Sequence, residues 1–295
     1  MKRCIALMVI ALGLWLFAFD GVSQAWVNSG KDLRITKDTT FTKAHSPIDP
    51  GGDIIVESGV TLTIEPGVTI YLSDWYARYK MDVYGTLRAI GTEQERIVFT
   101  TDPTGWQFFG ITIWDEAHGA QSAGRNMLRY CDIIHANSAL ILWTSDVEVS
   151  HCYFDSEFGD LMRKGDSTGH TLSIEHNVMR KTVGIYTDDS VIIQWNKFSG
   201  LSLSTSENVV LHYNWFWRTR YGLGYTGTEP IDARYNYWDT TDENEIKESL
   251  RGNVENIEYS PWLTQWPPDD ISVQTVTWGA IKTLFRSTHR ERRSR

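Results

Sequence analysis

The stretch VIIQWNKF at 191–198 decides the fold, because its pattern returns throughout the second half of the chain. It recurs as NMLRYCDI at 126–133, VEVSHCYF at 147–154, LSIEHNVM at 172–179, VVLHYNWF at 209–216 and IDARYNYW at 231–238. Aligned on Cys131, Cys152, Asn177, Asn196, Asn214 and Asn236, the copies stand 21, 25, 19, 18 and 22 residues apart. Three positions before the aligned residue are Leu128, Val149, Ile174, Ile193, Leu211 and Ala233. Two positions after it are Ile133, Phe154, Met179, Phe198, Phe216 and Trp238. Every one of these flanking positions is apolar.

Alternation with period two marks a strand with one buried face. Here the period breaks once, since three residues rather than two separate the inward position before the aligned residue from the aligned residue itself. The extra residue makes a corner, and a corner repeated every 18 to 25 residues implies coils stacked in parallel about 4.8 Å apart. An inward Asn at each corner then forms a column, each amide bonding its neighbour and the local backbone. Cys131 and Cys152 continue the column as small, buryable residues and are read as two buried thiols; their stacking distance also permits a disulfide, which is the alternative.

Working outward, VTLTIEPGVTIYL (60–72), MDVYGTLRAIGT (81–92), RIVFTTD (96–102) and WQFFGITIW (106–114) are β-rich runs punctuated by Pro66-Gly67, Gly85 and Gly91. Strands without helical spacers leave a sandwich, a barrel or a solenoid, and the corner column selects the solenoid. The expected fold is all-β, a right-handed parallel β-helix of single coils, roughly nine of them between Asp53 and Trp238. Solenoid ends need covers, so residues 26–52 are read as an N-terminal cap, 53–240 as the β-helix and 241–263 as a C-terminal cap. The latter opens with a helix from Thr241-Asp242, whose face carries Ile246 and Leu250 and which stops at Gly252. Residues 264–295 read as a linker and a short basic tail.

Met1-Lys2-Arg3, an apolar run from Ile5 to Phe19 and the small residues at Val22-Ser23-Gln24-Ala25 have the form of a secretory signal peptide over residues 1–25. The apolar run is too short to span a bilayer, which takes about 20 residues. No second long apolar run follows, so the expected mature chain is exported, without a membrane span, in the periplasm, at the cell surface or secreted. The whole chain carries a net charge of −9, which becomes −10 once residues 1–25 are removed. The last ten residues hold five arginines against one glutamate, so the body is more acidic still. Such a body argues against nucleic acid as a partner, because phosphate binding needs a basic footprint.

The motifs LTIEPGVTI (62–70), YGTLRAIGT (84–92) and IVFTTD (97–102), the Asn column, and the closing YNYW (235–238) and SPWL (260–263) resemble the right-handed parallel β-helix repeat family. That family has the pectin-lyase-like fold, and its relatives include a periplasmic copper-associated protein of nitrous-oxide reductase maturation. The resemblance covers about residues 53–263. It implies the fold and not an activity, because the fold hosts lyases, hydrolases and members without known catalysis.

The catalytic patterns of the fold are incomplete here. Arg163-Lys164, Gly169-His170 and Asp188-Asp189 are the pieces of a polygalacturonase-like set in reversed order, without Gly-His-Gly. Asp155, Glu157 and Asp160 are oxygen ligands that calcium would accept, but the accompanying Arg-x-Pro-x-x-Arg is missing. No Ser-His-Asp set is spaced to converge, and neither a cofactor nor a metal is expected. The residues one before each corner carry more information: Tyr130, His151, His176, Trp195, Tyr213 and Tyr235. They form a stripe of flat rings along the solenoid. One reading is a platform for a polysaccharide, since rigid amphipathic rings suit sugar faces; the other is that the rings stack on each other and stabilise the sheet. The functional expectation is a non-catalytic carbohydrate-binding or cell-surface structural module, with a polysaccharide lyase or glycoside hydrolase as the alternative.

Overall fold

The structure is a computed structural model that describes residues 31–72, 79–102, 106–165, 168–205, 209–217 and 221–266. The expected signal peptide and the basic tail lie outside the described residues. The described chain is an all-β parallel solenoid of about 10 turns. One 10-stranded sheet runs from Thr39–Phe41 to Ile257–Glu258, and a 13-stranded sheet runs from Leu33–Ile35 to Leu250–Gly252. The strand pairings of the described residues are all parallel, between successive coils; Ile193, for example, lies between Ile174 and Leu211.

Each central coil has three straight runs, because the larger sheet bends. Strand Cys131–Leu142 pairs through Cys131 with Ile97 and, further along, through Leu140 with Ile111. Between these runs the register slips around Ala136, and His135 takes φ 60°. The interior is filled by the columns read from the repeat. Leu128, Val149, Ile174, Ile193, Leu211 and Ala233 are fully buried, as are Ile133, Phe154, Met179, Phe198 and Phe216.

The corner before each column has a definite backbone state. Tyr130, His151, His176, Trp195, Tyr213 and Tyr235 all have φ between 51° and 60°. A left-handed residue with a Cβ costs about 1–2 kcal/mol, so each corner is strained and something must hold it. At the four corners from His176 to Tyr235 the amide of the following Asn does so from inside. Asn196 Nδ2 donates to Ile174 O at 2.7 Å and to Asn214 Oδ1 at 3.1 Å, and its backbone N–H donates to Asn214 Oδ1 at 3.0 Å. Asn177 and Asn214 repeat the arrangement toward Asn196 and Asn236. The buried backbone groups that the corner removes from the sheet are thereby paired, as burial demands.

Cys131 and Cys152 are unbridged and buried. Burial, with the adjacent Cys152, pushes the Cys131 thiol well up, so it stays protonated. Cys152 Sγ lies 3.4 Å from Leu128 O and 3.2 Å from Ser150 O, the acceptors an Asn amide meets at this corner. Cys152→Asn should therefore fold and gain about 1 kcal/mol, because an amide N–H is the stronger donor. Thermal unfolding checks this, and a clear fall in midpoint would refute the equivalence.

Two boundaries differ from the sequence reading. Leu33–Ile35 and Thr39–Phe41 pair in register with Ile54–Val56 and Thr61–Ile64, so the stretch expected as an N-terminal cap contributes a coil. This raises the count from the expected nine to about 10 turns. Helix Glu243–Ser249 starts as expected, with Asp242 Oδ1 accepting from Asn244 N at 2.8 Å. It ends before Leu250, which leaves to pair with Leu223. Gly252 therefore closes a strand, at φ 80°, where a Cβ would stand 2.0 Å from Tyr225 O.

Candidate functional site

The six predicted ring residues come together in one continuous stack along the corner. Successive centroids are 4.6 Å (Tyr130–His151), 4.7 Å (His151–His176), 6.1 Å (His176–Trp195), 4.7 Å (Trp195–Tyr213) and 6.0 Å (Tyr213–Tyr235) apart. The planes are within 29° of parallel throughout. Each ring face is turned to its neighbour, and the edges face outward. Stacked aromatic pairs contribute about 0.5–1.5 kcal/mol each, which offsets much of the corner strain.

Beside the first three rings lies a groove of about 520 Å³ on the outer face of the 10-stranded sheet. It exists because small side chains, Ser150 and Ser173, sit between larger ones on neighbouring strands. Arg129 stands at one end, with Nη2 2.5 Å from Glu148 Oε1 and Nε 3.3 Å from Ser150 Oγ. Burial pushes the Glu148 carboxyl up, but the hydrogen bond and charge of Arg129 outweigh it and leave the group below its usual range, so it is charged. Glu175 faces the other end and accepts from Ser173 Oγ at 2.5 Å. Arg125 Nη2 donates to the carbonyls of Val147 and Thr171, both at 3.1 Å, which fixes its guanidinium across two coils. The groove thus combines fixed donors, acceptors and hydroxyls with the edges of Tyr130, His151 and His176.

The other candidate sets do not form a site. Arg163 and Asp189 do meet, with Nη2 and Oδ2 3.1 Å apart, but both side chains are 0% exposed. Lys164 and Asp188 are exposed on the outer surface, so the four do not line one cleft. His170 approaches Asp146 at 3.9 Å instead. Asp160 is buried and accepts from Ser156 N, Ser156 Oγ and Lys181 N, and burial raises its carboxyl. Asp155 pairs with Arg180 at 2.9 Å, and Glu157 is exposed. Among the described residues no group of three or more His, Cys, Asp or Glu is arranged to hold a metal ion. None of their helices is long and apolar enough to cross a membrane.

The sequence reading missed a second ring column. Tyr84, Trp114 and Trp143 stack at 5.7 Å and 5.8 Å, with His118 tilted across both indoles at 5.0 Å and 4.6 Å. The shared endings GITIW (110–114) and ALILW (139–143) were the available signal.

Comparison of the chain with protein-family models, with curated proteins and with solved structures finds no match in any of the three. Fold and surface therefore define the class on their own: a parallel β-solenoid with a polar groove beside a stacked aromatic corner.

Proposed function

We propose that the protein is an exported, non-catalytic carbohydrate-binding module whose recognition surface is the groove beside Tyr130, His151 and His176. One observation carries the reading: the groove presents an Arg–Glu pair, a second carboxylate and serine hydroxyls on a rigid sheet face, the mixture that binds vicinal hydroxyls. Ring edges, with their N–H and O–H groups, contribute as polar contacts, while the ring faces serve the stack. A glycan chain would lie along the solenoid axis, across successive coils. Export rests on the form of residues 1–25. The sequence motifs also favour a place among the pectin-lyase-like right-handed β-helix proteins.

The test is a glycan array probed with the purified chain beside Arg129→Ala and Glu175→Ala. Hydrogen bonds to charged groups contribute about 1.5–3 kcal/mol, so each variant should bind its saccharide about 10–100-fold more weakly with unchanged circular dichroism. An array on which the wild type binds nothing would end this reading. Equal binding by wild type and both variants would move recognition away from the groove.

A further inference from the structure

The groove beside Tyr130 holds two arginines and two glutamates, and the four charges are not equivalent. Arg129 and Glu148 neutralise one another as an ion pair of 2.5 Å. Arg125 and Glu175 are left over: among the described residues, neither belongs to an ion pair. Arg125 is half-buried, and its Nη2 is pinned between the carbonyls of Val147 and Thr171, which are neutral acceptors. Glu148 feels its charge but has given its ion pair to Arg129. Glu175 is half-buried too, and Ser173 Oγ donates to it at 2.5 Å. Both charges are anchored along one strand. Leu172 and Ile174 of Thr171–Glu175 are fully buried, so by alternation Thr171, Ser173 and Glu175 face outward. Thr171 and Ser173 stand about 7 Å apart on such a strand. The guanidinium is held at the first and the carboxylate at the second, so a fixed cation and a fixed anion flank the groove about one sugar unit apart.

Two opposite charges held apart select a ligand class. A neutral glycan leaves both without a counter-charge. A polyanion suits Arg125 but meets Glu175, and a chain of net charge −9 repels it from a distance. A polycation suits Glu175 but meets Arg125. A ligand bearing both charges satisfies both, and hydrogen bonds between ionised partners are the stronger kind. We infer that the groove selects a zwitterionic glycan, with a carboxylate on one unit against Arg125 and a free amine on the neighbouring unit against Glu175. This deepens the carbohydrate-binding reading above and rests on it. The carbonyls and Ser173 hold the two charges in place before a ligand arrives, which lowers the ordering cost of binding. Like charges brought together are what reject the singly charged glycans.

The test is a calorimetric titration of the full chain with four tetrasaccharides. De-N-acetylated hyaluronan carries carboxylates and amines, hyaluronan carboxylates alone, chitosan amines alone, and cellotetraose neither. The first should bind at least about 10-fold more tightly than each of the others. Arg125→Gln should lower the zwitterion to the affinity of chitosan, and Glu175→Gln should lower it to that of hyaluronan. Chitosan should bind Arg125→Gln, and hyaluronan Glu175→Gln, at least as well as wild type, because a like charge has gone. Glu175→Gln keeps an acceptor for Ser173 at an outward position, so it carries the test alone if Arg125→Gln unfolds. If the wild type binds all four equally, or prefers a neutral or singly charged one, the inference is overturned and the carbohydrate reading stands. A zwitterion preference unchanged in Glu175→Gln would also overturn it. Binding of none of the four would overturn it as well, and the glycan array then decides whether the carbohydrate reading falls with it.

Discussion

Replacing Asp189 by alanine is expected to destabilise the solenoid by about 3–5 kcal/mol, the cost of leaving one member of a buried ion pair alone. Both partners are fully buried. Asp189 Oδ1 accepts from the backbone N–H groups of Thr168 and Gly169 at 2.7 and 2.9 Å, and Oδ2 accepts from Thr168 Oγ1 and Arg163 Nη2 at 2.9 and 3.1 Å. Arg163 also donates from Nε to Ser145 Oγ at 2.9 Å. Alanine removes every acceptor at once and strands the guanidinium inside. Asp189→Asn should also lose stability, since its NH₂ would face donors. The double variant Arg163→Met with Asp189→Leu should lose less than Asp189→Ala, because no charge is left buried. Urea unfolding followed by circular dichroism measures all three. A single variant within about 1 kcal/mol of wild type would mean that water or rearrangement replaces the pair, contrary to its full burial.

Asn214→Ala should cost about as much, roughly 3–5 kcal/mol, by a different route. Its amide donates to Ile193 O, His212 O and Asn236 Oδ1 at 2.9–3.0 Å and accepts from Asn196 N and Nδ2 at 3.0 and 3.1 Å. Alanine leaves these buried groups unpaired at about 1–3 kcal/mol each, partly relieved by relaxation, and it frees a strained corner at Tyr213. Asn214→Asp sharpens the test. Burial would raise the folded carboxyl above its unfolded value, so the variant's stability is present at low pH and lost as pH rises through the folded value. Midpoints at acidic and neutral pH separate the two variants: a pH-independent midpoint for Asn214→Asp would show that the column is open to water.

Much of this architecture was legible in the sequence, for a specific reason. A solenoid repeats its corner, and a single extra residue between Ile193 and Asn196 breaks period two in a way that no straight strand does. The columns through Leu128 and Ile133 follow directly. The first coil was not legible, because LRI (33–35) and TTF (39–41) are too short to show alternation, and the early coils turn with Pro66-Gly67 and Gly91 instead of an aromatic–Asn corner. Gly91 shows why: a Cβ there would stand 2.7 Å from Tyr130 O.

The ring stripe was legible as a stripe, but the direction of its faces depends on the backbone at each corner, which spacing alone does not give. Arg163 shows the opposite failure. It lies in register with Leu142 and Ile185, in an inward and otherwise apolar column. Residue type marks it for the surface, and only cross-coil register places it inside, where Asp189 awaits it.

The uniform corner has a metric consequence. Coils with the same corner, the same inward amide and the same stacking interval are interchangeable units of length. Between the strand Ser190–Gln194, whose Ile192 is the last residue to line the groove, and Ile231–Asp232, which precedes the C-terminal helix, the sheet order counts two steps. At about 4.8 Å per step the groove and the coil that carries the helix are set about 10 Å apart along the axis. Duplicating the coil that ends at Asn214 would lengthen that interval by one step while leaving the residues of the groove untouched. The chain is in this sense a ruler whose graduations are coils, and the separation of its groove from its C-terminal helix is written as a copy number.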